Sequence, residues 1–117
     1  MTHVYLTQCG SFTATHHHNG TLAEGMHTHT FHFEATFYGP LNKEGYFIDF
    51  RVLQDFFARE ISARLNQTDL NTLFKNPTTE ELALYLFRTI AQKFPELHHL
   101  KVTEEPDRWI TLYKGDL

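Results

Sequence analysis

The chain has 117 residues, 41% of them hydrophobic and 15% aromatic, which suits one domain with a modest core. A net charge of −4 and a pI near 6.1 give no basic footprint for nucleic acid or for an anionic membrane surface. The single cysteine, Cys9, excludes an internal disulfide and fits a reducing compartment. No secretory signal is visible and no apolar run approaches the roughly 20 residues of a membrane span, so a cytoplasmic protein is expected.

Val4–Leu6 and Ser11–His16 read as short strands joined through "QCG". Residues 17–26 ("HHNGTLAEGM") contain Asn-Gly and a second Gly and read as a loop. The stretch that follows, 27–38, alternates with a period of two. Its odd positions are His27, His29, Phe31, Phe33, Ala35 and Phe37, which in a strand share one face. The turn "GPLNKEG" ends it, and "YFIDF" (46–50) reads as a further strand. The period then changes. Leu53, Phe56, Phe57 and Ile61 have helical spacing and predict an amphipathic helix over about 51–65. After the polar connection "NQTDLNTLFKN", Thr78 and Glu81 form a capping-box pattern. The stripe Leu82, Leu86 and Ile90 carries that second helix to about Phe94. Strands near 98–103 and 109–113 close the chain. Antiparallel strands with two helices on one face, in the order ββααββ, make an α+β class in a single domain over 1–117.

Nine histidines stand at 3, 16, 17, 18, 27, 29, 32, 98 and 99. His27 and His29 are either ordinary strand residues or two ligands of a metal, since both imidazoles leave the strand on its apolar face. His16 closes "SFTATH" with the parity of Phe12 and Ala14, and is the candidate third ligand. Three neutral imidazoles with an open fourth position are the arrangement of a catalytic zinc, though spacing alone does not bring the strands together. His17, His18 and His32 have the wrong parity or lie in the loop and read as exposed polar residues. His98 and His99 begin a strand without an evident partner. Cys9 reads as a small buried thiol facing away from His16.

Six stretches in order then resemble the 6-pyruvoyl-tetrahydropterin synthase and 6-carboxy-tetrahydropterin synthase family, of the tunnelling fold. They are "FTATH" (12–16), "HTH" (27–29), "GYFIDFRVL" (45–53), "LNQTDLN" (65–71), "PTTEELA" (77–83) and "VTEEP" (102–106). The resemblance implies that His16, His27 and His29 bind zinc and that Glu104 anchors the pterin ring. A carboxylate suits that role because it accepts a pair of hydrogen bonds from the aminopyrimidine edge. It also implies a small-molecule pterin substrate and a homo-oligomeric barrel, commonly a hexamer, with active sites between neighbouring subunits.

The sequence departs from the family pattern at four places. Ala23 stands where the standard synthases carry a nucleophile-like cysteine, and the next residue is Glu24. Glu24-x-x-His27-x-His29 resembles a variant branch that uses glutamate and forms 6-hydroxymethyl-dihydropterin from dihydroneopterin-type substrates. There a carboxylate takes a proton, zinc acts as the Lewis acid and a retro-aldol step cleaves the side chain. Glu24 is therefore the expected catalytic base. Asn66 and Gln67 occupy the positions of the family's Asp-His pair, and neutral amides cannot shuttle a proton near neutral pH. Thr28 replaces the glycine between the two histidines, and Glu105 replaces the threonine beside the ring anchor. Two readings follow. One is a zinc-dependent lyase working on a reduced pterin side chain. The other is a relative that keeps metal and ring anchor but binds a pterin or purine-like ligand without turnover.

Overall fold

The computed structural model describes residues 1–17 and 27–117. Four antiparallel strands lie in chain order across one sheet: β1 (His3–His16), β2 (His27–Pro40), β3 (Leu97–Glu105) and β4 (Arg108–Tyr113). The first strand is continuous where two short ones were expected. Gly10 is not a break, because it lies directly opposite Phe33 on β2 and a Cβ there would overlap the Phe33 ring. A bare backbone lets the aromatic ring lie across its neighbour, so the glycine serves the sheet here.

The alternation of β2 holds. Phe31, Phe33, Ala35 and Phe37 are buried, while Thr28, Thr30, His32 and Tyr38 are exposed. Phe12 and Ala14 of β1, with Leu97, Leu100 and Val102 of β3, complete the apolar face. Helices cover that face alone. The first, α1 (Phe50–Phe57), runs through a π-helical turn (Ala58–Ser62) into the short α2 (Ala63–Leu65). It buries Leu53, Phe56, Phe57, Ile61 and Leu65, and Phe57 meets Phe33 edge to face at 5.1 Å. The longer α3 (Thr79–Lys93) buries Leu82, Ala83, Leu86, Phe87 and Ile90. Thr78 caps it, its side chain accepting from the Glu81 N–H, which is one half of the capping box read from the sequence.

"YFIDF" forms no strand. The Phe47 ring sits on the bare backbone of Gly39 at the end of β2, and Ile48 packs against the core. Asp49 then caps α1 by accepting from the Arg51 N–H at 2.9 Å. The Arg51 guanidinium also holds the Asp49 carboxyl below its ordinary range. The apolar residues of this segment thus tuck the entry of a helix under the sheet. Cys9 is exposed on the helix-free face and is not the buried thiol expected. Among the described residues no helix is long and apolar enough to cross a membrane.

After α2 the chain reverses at Gln67, whose φ of 58° is left-handed. A non-glycine residue pays about 1–2 kcal/mol for that conformation. The turn lays residues 66–69 along the outer edge of β1. Thr13 N–H donates to Asn66 Oδ1 at 2.9 Å, Gln67 N–H donates to Thr13 O at 2.6 Å, and Thr15 N–H donates to Thr68 O at 2.9 Å. Ser62 Oγ donates to Ser11 O at 2.8 Å. The half of β1 that leads to His16 is thereby pinned from outside as well as by β2.

Candidate metal centre

The β1–β2 register sets His16 opposite His27 and Ala14 opposite His29. Small Ala14 leaves room for the His29 imidazole beside it, and the three rings meet edge on. Their centroids are 4.5 Å apart for His16–His27, 4.5 Å for His27–His29 and 5.6 Å for His16–His29. Phe31 floors the group, 5.4 Å from the His16 ring and 6.1 Å from the His29 ring. The histidine face of the strand is thus continuous with the phenylalanine core.

A fourth donor comes from β3. Its pairing with β4 is irregular between Thr103 and Glu105, which leaves Glu104 as an extra residue. Such bulges re-aim side chains. Here both carboxylates turn to the histidines. Glu104 Oε1 lies 2.7 Å from His16 Nε2 and 3.8 Å from His29 Nε2, and Glu105 Oε1 lies 3.2 Å from His29 Nδ1. One donor atom each from His16, His27, His29 and Glu104 falls within 4.8 Å of the others. That span is little wider than two zinc–nitrogen bonds of about 2.0–2.1 Å laid end to end. The donor set fits a divalent metal of the zinc type: imidazoles with one carboxylate, half-buried and backed by an apolar floor.

The orientation of His16 supports that fit. The residue is fully buried and its Nδ1 lies 2.8 Å from the carbonyl oxygen of Pro77. A carbonyl only accepts, so Nδ1 carries the hydrogen and Nε2 is the atom turned to the cluster. The next residue, His17, is clamped by Asn71: its N–H donates to Asn71 Oδ1 at 2.9 Å, and Asn71 Nδ2 donates to its carbonyl at 3.0 Å. Asn71 is held in turn by Asp69, which caps the 3-10 turn Leu70–Thr72 and accepts from the Asn71 N–H at 2.9 Å. Asn71 and Pro77 both lie in stretches that carried the family resemblance, yet their service to His17 and His16 was not legible there.

The structure therefore brings together His16, His27, His29 and Glu104. Glu24, the expected base, lies outside the described residues. Asn66, in place of the family's aspartate, is spent on the β1 backbone, and Gln67 is exposed. His32 is exposed on the opposite face, as expected. His98 and His99 do have partners: their Nδ1 atoms lie 2.8 Å apart, among Tyr5, Tyr38 and Tyr113 on the helix-free side.

Comparison with known proteins gives these features a family. The model described as 6-pyruvoyl tetrahydropterin synthase matches residues 5–115. The chain is 31% identical over 100 residues to a provisionally assigned 6-carboxy-5,6,7,8-tetrahydropterin synthase of Archaeoglobus fulgidus, across 85% of this chain and 86% of that one. It is 34% identical over 85 residues to the dihydroneopterin monophosphate aldolase of Pyrococcus furiosus, across 73% of each chain. In three dimensions it matches the 6-pyruvoyl tetrahydropterin synthase of Caenorhabditis elegans with a TM-score of 0.85, covering 97% of this chain and 96% of that one. At 18% identity this last likeness speaks for the fold alone. With a family model spanning all but its two ends, and a relative 31% identical along most of its length, the chain belongs to the 6-pyruvoyl tetrahydropterin synthase family.

Proposed function

We propose that this protein is a zinc-dependent lyase that acts on the side chain of a reduced pterin. The preferred reaction converts a dihydroneopterin-type substrate, free or phosphorylated, into 6-hydroxymethyl-dihydropterin. A related 6-pyruvoyl- or 6-carboxy-tetrahydropterin synthase reaction is the nearest variant of the same reading. The observation that carries it is the meeting of His16, His27, His29 and Glu104 on a pterin-family frame. The relative named a dihydroneopterin monophosphate aldolase supports cleavage of the side chain over its rearrangement.

In this reading His16, His27 and His29 hold the metal, and a bound zinc ion would supply Lewis-acid polarisation of the side-chain oxygens. Glu24 takes the proton of the 2′-hydroxyl as the bond between C1′ and C2′ breaks, the C2′ fragment leaves as an aldehyde, and a proton is returned to C1′. Glu104 receives the aminopyrimidine edge of the ring. Its oxygen lies 2.7 Å from His16 Nε2, the atom a metal needs, so that contact would open where His16 serves as a ligand. The phenylalanine floor under the histidines keeps water from one side of the site. Assembly of several copies edge to edge suits a sheet whose outer strands are β4 and the half of β1 that residues 66–69 leave uncovered. A monomer by analytical ultracentrifugation would rule that assembly out.

One observation favours the second reading, a protein that binds metal and pterin without turnover. Asn66 and Gln67 tie residues 66–67 to the edge of β1, so the positions of the family's proton relay are doing backbone work. Product analysis separates the readings. Zinc-loaded protein is incubated with dihydroneopterin, its monophosphate and triphosphate, and the pterins are separated by chromatography. The lyase reading expects 6-hydroxymethyl-dihydropterin, lost in Glu24→Ala with zinc still bound and lost together with zinc in His27→Ala. Unchanged pterins that bind the protein would establish the binder. Full activity in Glu24→Ala would remove that residue as the base.

A further inference from the structure

Among the departures from the family pattern that fall on described residues, Glu105 is the one whose side chain lies against the histidine cluster. We propose that Glu105 is a positioning residue for the metal centre: it holds the Nδ1 hydrogen of His29 and so directs Nε2 at the metal. The inference rests on the metal-centre reading above and adds a residue to it.

Glu105 Oε1 lies 3.2 Å from His29 Nδ1, on the side of the ring away from Glu104, whose Oε1 is 3.8 Å from Nε2. An ionised carboxylate only accepts. With the ring hydrogen on Nδ1, the nitrogen 3.2 Å from that carboxylate, the neutral imidazole keeps its lone pair on Nε2. Metal-binding histidines commonly give their second N–H to a carboxylate or a backbone carbonyl. The partner fixes the tautomer, orients the ring and raises the basicity of the ligating nitrogen. His16 shows the other form of this device, with Pro77 O as its partner at 2.8 Å. Among the described residues no backbone oxygen takes that role for His29, and the side chain of Glu105 is the group that lies beside Nδ1. A threonine at this position, as the family pattern has, would bring a neutral hydroxyl on a shorter arm.

The bulge at Glu104 explains how two consecutive residues serve one cluster. In a regular strand Glu104 and Glu105 would point to opposite faces. The extra residue opposite β4 breaks the alternation, and both carboxylates arrive at histidines. Glu105 thus orients a ligand while Glu104 sits with the ligands themselves.

The size of the effect follows from exposure. The Glu105 side chain is 38% exposed and that of His29 22%, so water competes for both ends of the contact. Loss of such an outer partner generally weakens metal binding about 10–100-fold, and partial exposure places this one near the lower limit, about tenfold.

The test is competition between the protein and a zinc chelator, for the wild type, Glu105→Gln and Glu105→Ala, together with long-range 1H–15N spectra of the His29 ring without metal. Glu105→Ala is expected to bind zinc about tenfold more weakly and to lose the predominance of the Nδ1-protonated ring. Glu105→Gln, which keeps an accepting oxygen but no charge, falls between. Equal zinc affinity in all three proteins with an unchanged ring tautomer would overturn the proposal and leave the metal centre standing. A wild type that binds no zinc would instead remove the metal-centre reading, and this inference with it.

Discussion

Asn71 is the most informative residue to perturb, because its side chain fixes the backbone of His17, the residue next to the first ligand histidine. It makes two hydrogen bonds to the backbone of His17, at 2.9 and 3.0 Å, and both are partly buried. Each such bond contributes about 0.5–1.5 kcal/mol net, so Asn71→Ala should destabilise the protein by about 1–3 kcal/mol. For a chain of this size that is a fall in Tm of roughly 3–6 °C per kcal/mol. Thr72→Ala is the control. It removes a bond from Thr72 Oγ1 to Asp69 O at 2.6 Å within the same turn and leaves the His17 clamp in place. If the clamp also orders His16, metal binding in Asn71→Ala must restore that order. An ordering cost of about 1.4 kcal/mol would weaken zinc affinity about tenfold. Thermal unfolding of the metal-free proteins reads the first quantity and chelator competition the second. A Tm within a degree or two of the wild type would refute the energetic argument. A lowered Tm with unchanged zinc affinity would refute the link from Asn71 to the ligand.

Phe31→Leu should cost about 1–2 kcal/mol, because it leaves a gap between Phe12, stacked at 5.2 Å, and the His16 ring at 5.4 Å. The same loosened floor should weaken zinc binding, and urea unfolding with chelator competition would show whether the two losses go together. His99 predicts an acid-sensitive element on the other side of the sheet. Burial, assisted by neighbouring His98, pushes its imidazole down from the ordinary value, and Tyr113 packs on it at 4.9 Å. The unfolded chain then binds the proton at higher pH than the folded one. The contribution of His99 is complete above about pH 6.5 and is lost as pH falls through its folded value. With chelator present, the urea midpoint of the wild type should drop between pH 7.5 and 5.5 by more than that of His99→Asn. Parallel pH profiles would refute the assignment.

Much of this arrangement could be read in the sequence wherever one side chain per position decides the outcome. The period of two in 27–38 placed His27 and His29 on the core face, and matching parity placed His16 there too. That parity left the register open, and the structure supplies it by setting His16 opposite His27. The reading failed where a local pattern served a distant contact. Gly10 looked like punctuation but makes room for a ring from β2. "YFIDF" alternates like a strand, yet Phe47 is taken by Gly39 and Asp49 by the helix cap. Pro77 and Asn71 act on His16 and His17 across more than fifty residues of chain, and the contact of Glu105 depends on a bulge. No periodicity reports such pairings.

The placement of these supports bears on how the departures should be weighed. Two groups that position the histidine end of β1 stand where the family pattern has them, Pro77 O on His16 and the Asn71 clamp on His17, whereas Glu105 beside His29 is itself a departure. The departures at Ala23–Glu24 and at Asn66–Gln67 fall instead on residues that would move protons. A chain drifting out of use would have no reason to spare one set and change the other, since an unused metal centre loses its outer partners as readily as its base. Retained supports with replaced proton carriers are what a change of reaction on a kept centre would leave. On that ground the lyase with Glu24 as base is favoured over the silent binder. The chelator competition on Asn71 variants bears on the argument before any substrate is in hand, because a retained support that does not affect zinc would remove its premise.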